Sequence, residues 1–76
     1  MQYGKAVKYY RELQHIKQCD LAEQIGISPG HLNKIEHGIK ILTIPVAAAI
    51  ADKLGVTLND LADAEVALAD TQEIKR

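Results

Sequence analysis

Three histidines, His15, His31 and His37, and one cysteine, Cys19, are the side chains of this sequence best suited to hold a transition metal. A structural zinc site needs four ligands converging on a tetrahedron, and the spacing does not supply them. His15 and Cys19 straddle the start of a helix, while His31 and His37 fall on different faces of a later one. Catalysis lacks a convergent set in the same way. There is no Ser/His/Asp arrangement, no paired-carboxylate set and no glycine-rich phosphate loop. The chain is read as a non-enzyme with no metal, cofactor or small-molecule substrate, and Cys19 as a partly exposed bystander.

The surroundings of these residues are those of a small helical domain. The 76 residues suffice for one compact unit. With 47% hydrophobic residues and three tyrosines as the only aromatics, its core must come from Leu, Ile, Val and Ala on closely fitted helices. A lone cysteine and the lack of a cationic-then-apolar leading segment suggest a cytoplasmic protein. No apolar run reaches the about 20 residues needed to span a bilayer, so no membrane partner is expected. Net charge is −1, but it is unevenly spread. Met1 to Leu54 carries a surplus of two positive charges, and Gly55 onward a deficit of three. A mildly basic body with an acidic end can be oriented by a polyanion.

Helical spacing places Val7, Tyr10 and Leu13, with Ala6, on one stripe of helix 1, from Gly4 to Gln14. Helix 2 begins near Lys17, buries Leu21, Ala22 and Ile25, and stops at Gly26. Ser28-Pro29 starts helix 3, because a serine oxygen accepts from the first free amides and proline has no N–H to leave unpaired. Helix 3 turns Leu32 and Ile35 inward and ends at Gly38. Thr43 reads as the N-cap of helix 4, whose Ile44, Ala47, Ala48, Ile50, Ala51 and Leu54 are apolar nearly all round, a pattern that belongs mid-core. Thr57 precedes a fifth helix continuing towards Ala69, followed by a polar tail from Asp70 to Arg76. No strand signal, repeat or low-complexity tract is present.

Gln18 to Gly38, QCDLAEQIGISPGHLNKIEHG, is two short helices about a tight turn. Ala22 is small where helices cross, Gly26 makes the turn, and Ile27 and Leu32 fill the angle. In a helix-turn-helix the second helix enters the major groove while the first crosses the backbone, which makes helix 3 the reader.

This run resembles the helix-turn-helix family of the lambda-type phage repressors and Cro proteins, the Cro/C1 or XRE type. Gly4, Val7, Tyr10, Arg11, Ile16, Gln18, Leu21-Ala22, Gly26, Ser28, Leu32, Ile35-Glu36 and Gly38 fit its pattern, as does Thr43 to Val56. The match covers roughly Gly4 to Leu61. The resemblance implies an all-α, compact five-helix, lambda repressor-like domain over residues 1–69, with residues 70–76 as a flexible polar tail.

Carried over position by position, the resemblance implies that Gln18 holds a phosphate and braces the reading helix. It implies that Arg11 and Glu36 form a buried ion pair between helices 1 and 3. The base-reading positions correspond to Pro29, Gly30 and Lys34, with His31 and Asn33 as neighbours. Proline offers no donor and Gly30 no side chain, which departs from the usual pattern and puts readout on Lys34, Asn33 and His31. Lys suits guanine O6/N7 and Asn suits adenine N6/N7. Phosphate contacts are expected from Lys17, Gln18, His37 and Lys40, with Lys5 and Lys8 left as a solvated face. The implied function is a sequence-specific duplex-DNA-binding transcriptional regulator, a repressor of phage or mobile-element type. The excess of apolar residues from Leu58 to Ala69 points to a homodimer. The alternative is an antitoxin or anti-repressor of the same fold that binds protein.

Overall fold

The computed structural model describes the backbone of residues 3–74 and the side chains of residues 3–68. Five helices follow in order: α1 (Gly4–Leu13), α2 (Gln18–Ile25), α3 (Pro29–Glu36), α4 (Ile44–Leu54) and α5 (Leu58–Ile74), with no strand among the described residues. This is the expected all-α, lambda repressor-like architecture. No helix among the described residues is long and apolar enough to cross a membrane.

The starts and stops are local chemistry. The Ser28 hydroxyl accepts from the His31 amide at 3.1 Å and Pro29 occupies the first turn of α3. Thr57 and Asp60 cap α5 reciprocally: each side chain accepts from the other's backbone N–H at 3.0 Å. Thr43 stands at the N-cap of α4, but its side chain makes no capping bond there. The ends of α2 and α4 are Schellman turns. Ile27 N–H donates to the Ala22 carbonyl and Val56 N–H to the Ala51 carbonyl, both at 3.0 Å, around left-handed Gly26 and Gly55. α1 closes the same way, with Ile16 N–H on the Arg11 carbonyl at 3.0 Å, but the left-handed residue is His15 at φ 59°.

Val7, Leu21, Leu32, Ile35, Ile50 and Leu61 are the largest fully buried side chains, one or two from each helix. Ala6, Ala22, Ala47 and Ala51 fill the narrow crossings between them. α1 packs on α5 and α3, and α2 on α3 and α4. Gly4 is buried against the end of α3, where a Cβ would run into the carbonyl oxygens of Ile35 and Glu36.

Three expectations change. Leu13 is 60% exposed: seven residues on from buried Ala6 it lies within about 20° of that residue on the helical projection, but it is the last residue of α1. Ile44 is 78% exposed although it lies within about 20° of buried Ala51 on the helical projection, because it is the first residue of α4; Ala48 also faces outward, while Leu42, just upstream, turns into the core. The helix that was to stop near Ala69 continues to Ile74, so the polar stretch from Asp70 begins within α5. Asp70, Thr71, Gln72 and Glu73 include no glycine or proline, so no residue type there interrupts the helical backbone hydrogen bonds. Residues 75 and 76 of the expected tail lie outside the described residues.

Two glycine-to-alanine substitutions should move stability in opposite directions. Gly4→Ala forces α1 off the end of α3 and is expected to cost about 1–3 kcal/mol. Gly30, an exposed position in α3 with open space around it, should gain about 0.5–1 kcal/mol as alanine. Urea denaturation midpoints read both.

Candidate nucleic-acid interface

The α2–turn–α3 unit presents one continuous outward face. Along α3, Pro29, Gly30, Asn33, Lys34 and His37 are exposed, and Leu32, Ile35 and Glu36 are buried. At about 100° per residue, the exposed set spans an arc of about 140°. His31 falls about 60° beyond Lys34 on that projection and is half-buried, on the flank of the face. Lys17 and Lys40 are exposed at either side of the unit, before α2 and after α3, and Gln18 at the start of α2 is half-buried.

Behind this face is the ion pair. Arg11 Nε donates to Glu36 Oε2 at 2.8 Å and Nη2 to Glu36 Oε1 at 3.0 Å, the bidentate geometry of a guanidinium and a carboxylate. Both residues are buried. The third arm, Nη1, donates to the Ile16 carbonyl at 2.9 Å, so one side chain joins α1, α3 and the turn before α2. The hydrogen bond to Glu36 holds the Arg11 pKa above its usual value, against the opposing pull of burial. Among the described residues no buried side-chain nitrogen or oxygen lacks a partner.

Gln18 extends the pair outward. Its Nε2 donates to Glu36 Oε1 at 3.1 Å and to Asn33 Oδ1 at 3.3 Å. His37 bonds back to its own helix, its Nδ1 donating to the Asn33 carbonyl at 2.8 Å. Arg11, Glu36, Gln18 and Asn33 therefore form one chain of hydrogen bonds from the core to the surface. The expected Arg11–Glu36 contact is among them. The Gln18–Asn33 bond joins residues 15 apart in sequence and has no local signature. Two further polar contacts were not legible: Glu65 Oε1 accepts from Ala6 N–H at 3.0 Å, tying α5 to the first turn of α1, and Gln14 Nε2 donates to the Leu54 carbonyl at 2.6 Å.

The metal-ligand types do not meet. Among the described residues no three of His, Cys, Asp and Glu stand close enough to share an ion. Cys19 is exposed, its Sγ 3.9 Å from Asp20 Oδ1.

A short helix laid across a second, with its outer face free and its inner face locked, defines a helix-turn-helix DNA-binding domain. The chain belongs to the helix-turn-helix family of the Cro/C1 type, whose model matches residues 7–61. It is 38% identical over 53 residues to the HTH-type transcriptional regulator RamB of Mycobacterium tuberculosis, a match that covers 70% of this chain and 11% of RamB. The chain thus spans only about a tenth of that relative's length. The HTH-type transcriptional regulator MJ0272 of Methanocaldococcus jannaschii is 36% identical over 55 residues, covering 72% of this chain and 83% of its own. Among solved structures, the clp gene regulator ClgR of C. glutamicum superposes with a TM-score of 0.82 at 26% identity, over 86% of this chain and 84% of that one. The restriction-modification controller protein C.AhdI of Aeromonas hydrophila shares the fold, with a TM-score of 0.74 at 19% identity over 78% of this chain and 89% of that one.

Removing one member of the buried pair should be costly. Glu36→Ala strands the Arg11 guanidinium and is expected to lower the unfolding free energy by about 3–5 kcal/mol. Combining Arg11→Met with Glu36→Leu should cost much less than the two single losses added together. A urea-denaturation double-mutant cycle measures this, and additive losses would contradict a direct pair.

Proposed function

We propose that the chain is a sequence-specific transcriptional regulator that inserts α3 into the major groove of duplex DNA. The observation that carries this reading is the exposed stripe of Pro29, Gly30, Asn33, Lys34 and His37, on a helix whose opposite face is locked into the core. Lys34 and Asn33 supply the base contacts, since Pro29 and Gly30 contribute shape and close approach but no side-chain donor. His31 stands on the flank, a position suited to the sugar-phosphate edge or the outermost base.

Lys17 and Lys40 bracket the reading helix and neutralise phosphates. His37 is exposed at the end of the stripe, its Nδ1 on the Asn33 carbonyl, and lies beside the phosphates there. Both Gln18 Nε2 hydrogens are taken up within the protein, so Gln18 meets phosphate through its main-chain amide at the start of α2. The domain acts as a homodimer on a two-fold symmetric site. Support comes from Leu58 and Val66 on α5, which remain 46% and 48% exposed, and from the symmetry with which such domains use paired half-sites. Repression of a phage or mobile-element promoter is the role we assign on the family resemblance.

Selection from random duplexes at two salt concentrations, followed by sequencing, tests the reading. A two-fold motif with half-sites about 34 Å apart, or a multiple of it, is expected. Lys17→Ala and Lys40→Ala should weaken binding to all sequences alike and each reduce the salt slope by about one. Lys34→Ala should relax preference at one base pair per half-site. Retention of no motif, with no salt dependence, would turn the search to a protein partner.

A further inference from the structure

The hydrogen-bond chain from Arg11 to Asn33 has a fixed polarity. Arginine donates through all its nitrogens and stays charged, so Glu36, which takes two of its bonds, acts only as an acceptor. The Gln18 atom 3.1 Å from Glu36 Oε1 must then be the amide nitrogen, because a reversed amide would set oxygen against oxygen. That same nitrogen lies 3.3 Å from the Asn33 side chain, and the atom it meets must be the Asn33 oxygen, since the reverse would oppose two NH2 groups. The Asn33 Oδ1 is thereby turned back towards α2, and Nδ2 is the end of the amide left to meet a ligand.

We propose that Gln18 is a positioning residue that makes Asn33 a donor-only reader, so that α3 selects guanine or thymine over adenine or cytosine at the base Asn33 faces. The inference rests on the reading of α3 as the major-groove helix. An unrestrained asparagine pairs with adenine by accepting from N6 while donating to N7, which needs both ends of the amide aimed at the base. With its oxygen turned back towards Gln18, Asn33 keeps only the donor half of that pair: it can give one hydrogen to adenine N7 but leaves the adenine amino group unmatched, and cytosine offers it an amino group alone. Guanine O6 and N7, and thymine O4, are acceptors and welcome it. Lys34, the next residue on the stripe, is also a pure donor, so the two neighbours favour the same kind of edge. The buried charge of Arg11 thus sets, three hydrogen bonds away, which base edge the surface of α3 accepts.

The random-duplex selection is repeated with Asn33→Ala, Gln18→Ala and Gln18→Met, each first shown to be helical and to unfold cooperatively. Gln18→Met keeps the side-chain length without the amide and carries the test if Gln18→Ala fails to fold. The position read by Asn33 is the one whose preference vanishes in Asn33→Ala. There the unaltered protein should favour guanine or thymine over adenine by about tenfold. Loss of the Gln18 amide should bring adenine to within about threefold of guanine at that position only, leaving the position read by Lys34 unchanged. Adenine at that position in the unaltered protein, no position responding to Asn33→Ala, or an unchanged preference in both Gln18 variants would each overturn the inference while leaving duplex reading intact. Failure of every form of the protein to enrich any motif would instead overturn the reading of α3 on which it rests.

Discussion

The bidentate contact between Arg11 and Glu36 organises this small domain. Burying two opposite charges costs several kcal/mol per ion, a cost that good geometry and full hydrogen bonding offset. Both conditions hold. The guanidinium spends its third arm on the Ile16 carbonyl, and the carboxylate takes a further bond from Gln18. A core of aliphatic side chains with no Phe or Trp can slide with modest loss, since Leu, Ile and Ala present little directional preference. A planar fork of donors meeting a planar carboxylate cannot slide, so α3 takes one rotation and one height relative to α1 and α2.

The rest of the packing serves that alignment. Gly4 lets the start of α1 approach the final carbonyls of α3 closely enough for Arg11, two turns later, to reach Glu36. Glu65 on α5 accepts a first-turn amide of α1, meeting an orphan donor and placing a negative charge at the positive end of the helix dipole. Ser28 and Pro29 start an eight-residue helix that would be marginal alone and is held by Leu32, Ile35 and Glu36 on its inner side. Rigidity on the inside leaves the outer stripe free of any packing role. That stripe carries two positions with no side-chain donor, then an amide, an ammonium and an imidazole.

Much of this was readable from local chemistry. Glycines 26 and 55 in the left-handed region, Ser28-Pro29 and Thr57 mark helix ends through backbone hydrogen bonds that involve only near neighbours. The stripes of α2 and α3 follow from a 3.6-residue period, as does the choice of Leu21, Leu32 and Ile35 as core. Periodicity reports which residues share a face, however, and not how far along the helix that face stays covered. Leu13 and Ile44 lie at ends where the neighbouring helices no longer reach, and both are exposed. The Arg11–Glu36 pair was accessible only through the family resemblance, because nothing local distinguishes those charges from solvated ones.

The sequence by itself therefore determined the number and type of helices, the turn between α2 and α3 and the outward face of α3, all of which arise from contacts within a few residues. Tertiary structure alone decided what the polar side chains do with each other. Gln18 meets Asn33 and Glu36, Gln14 meets the Leu54 carbonyl and Glu65 meets Ala6 because helices distant in sequence are brought within 3.3 Å. Hydrogen bonds are short-ranged and directional, so their partners, and with them the orientation of the Asn33 amide on the outward face of α3, are settled only once the helices have packed.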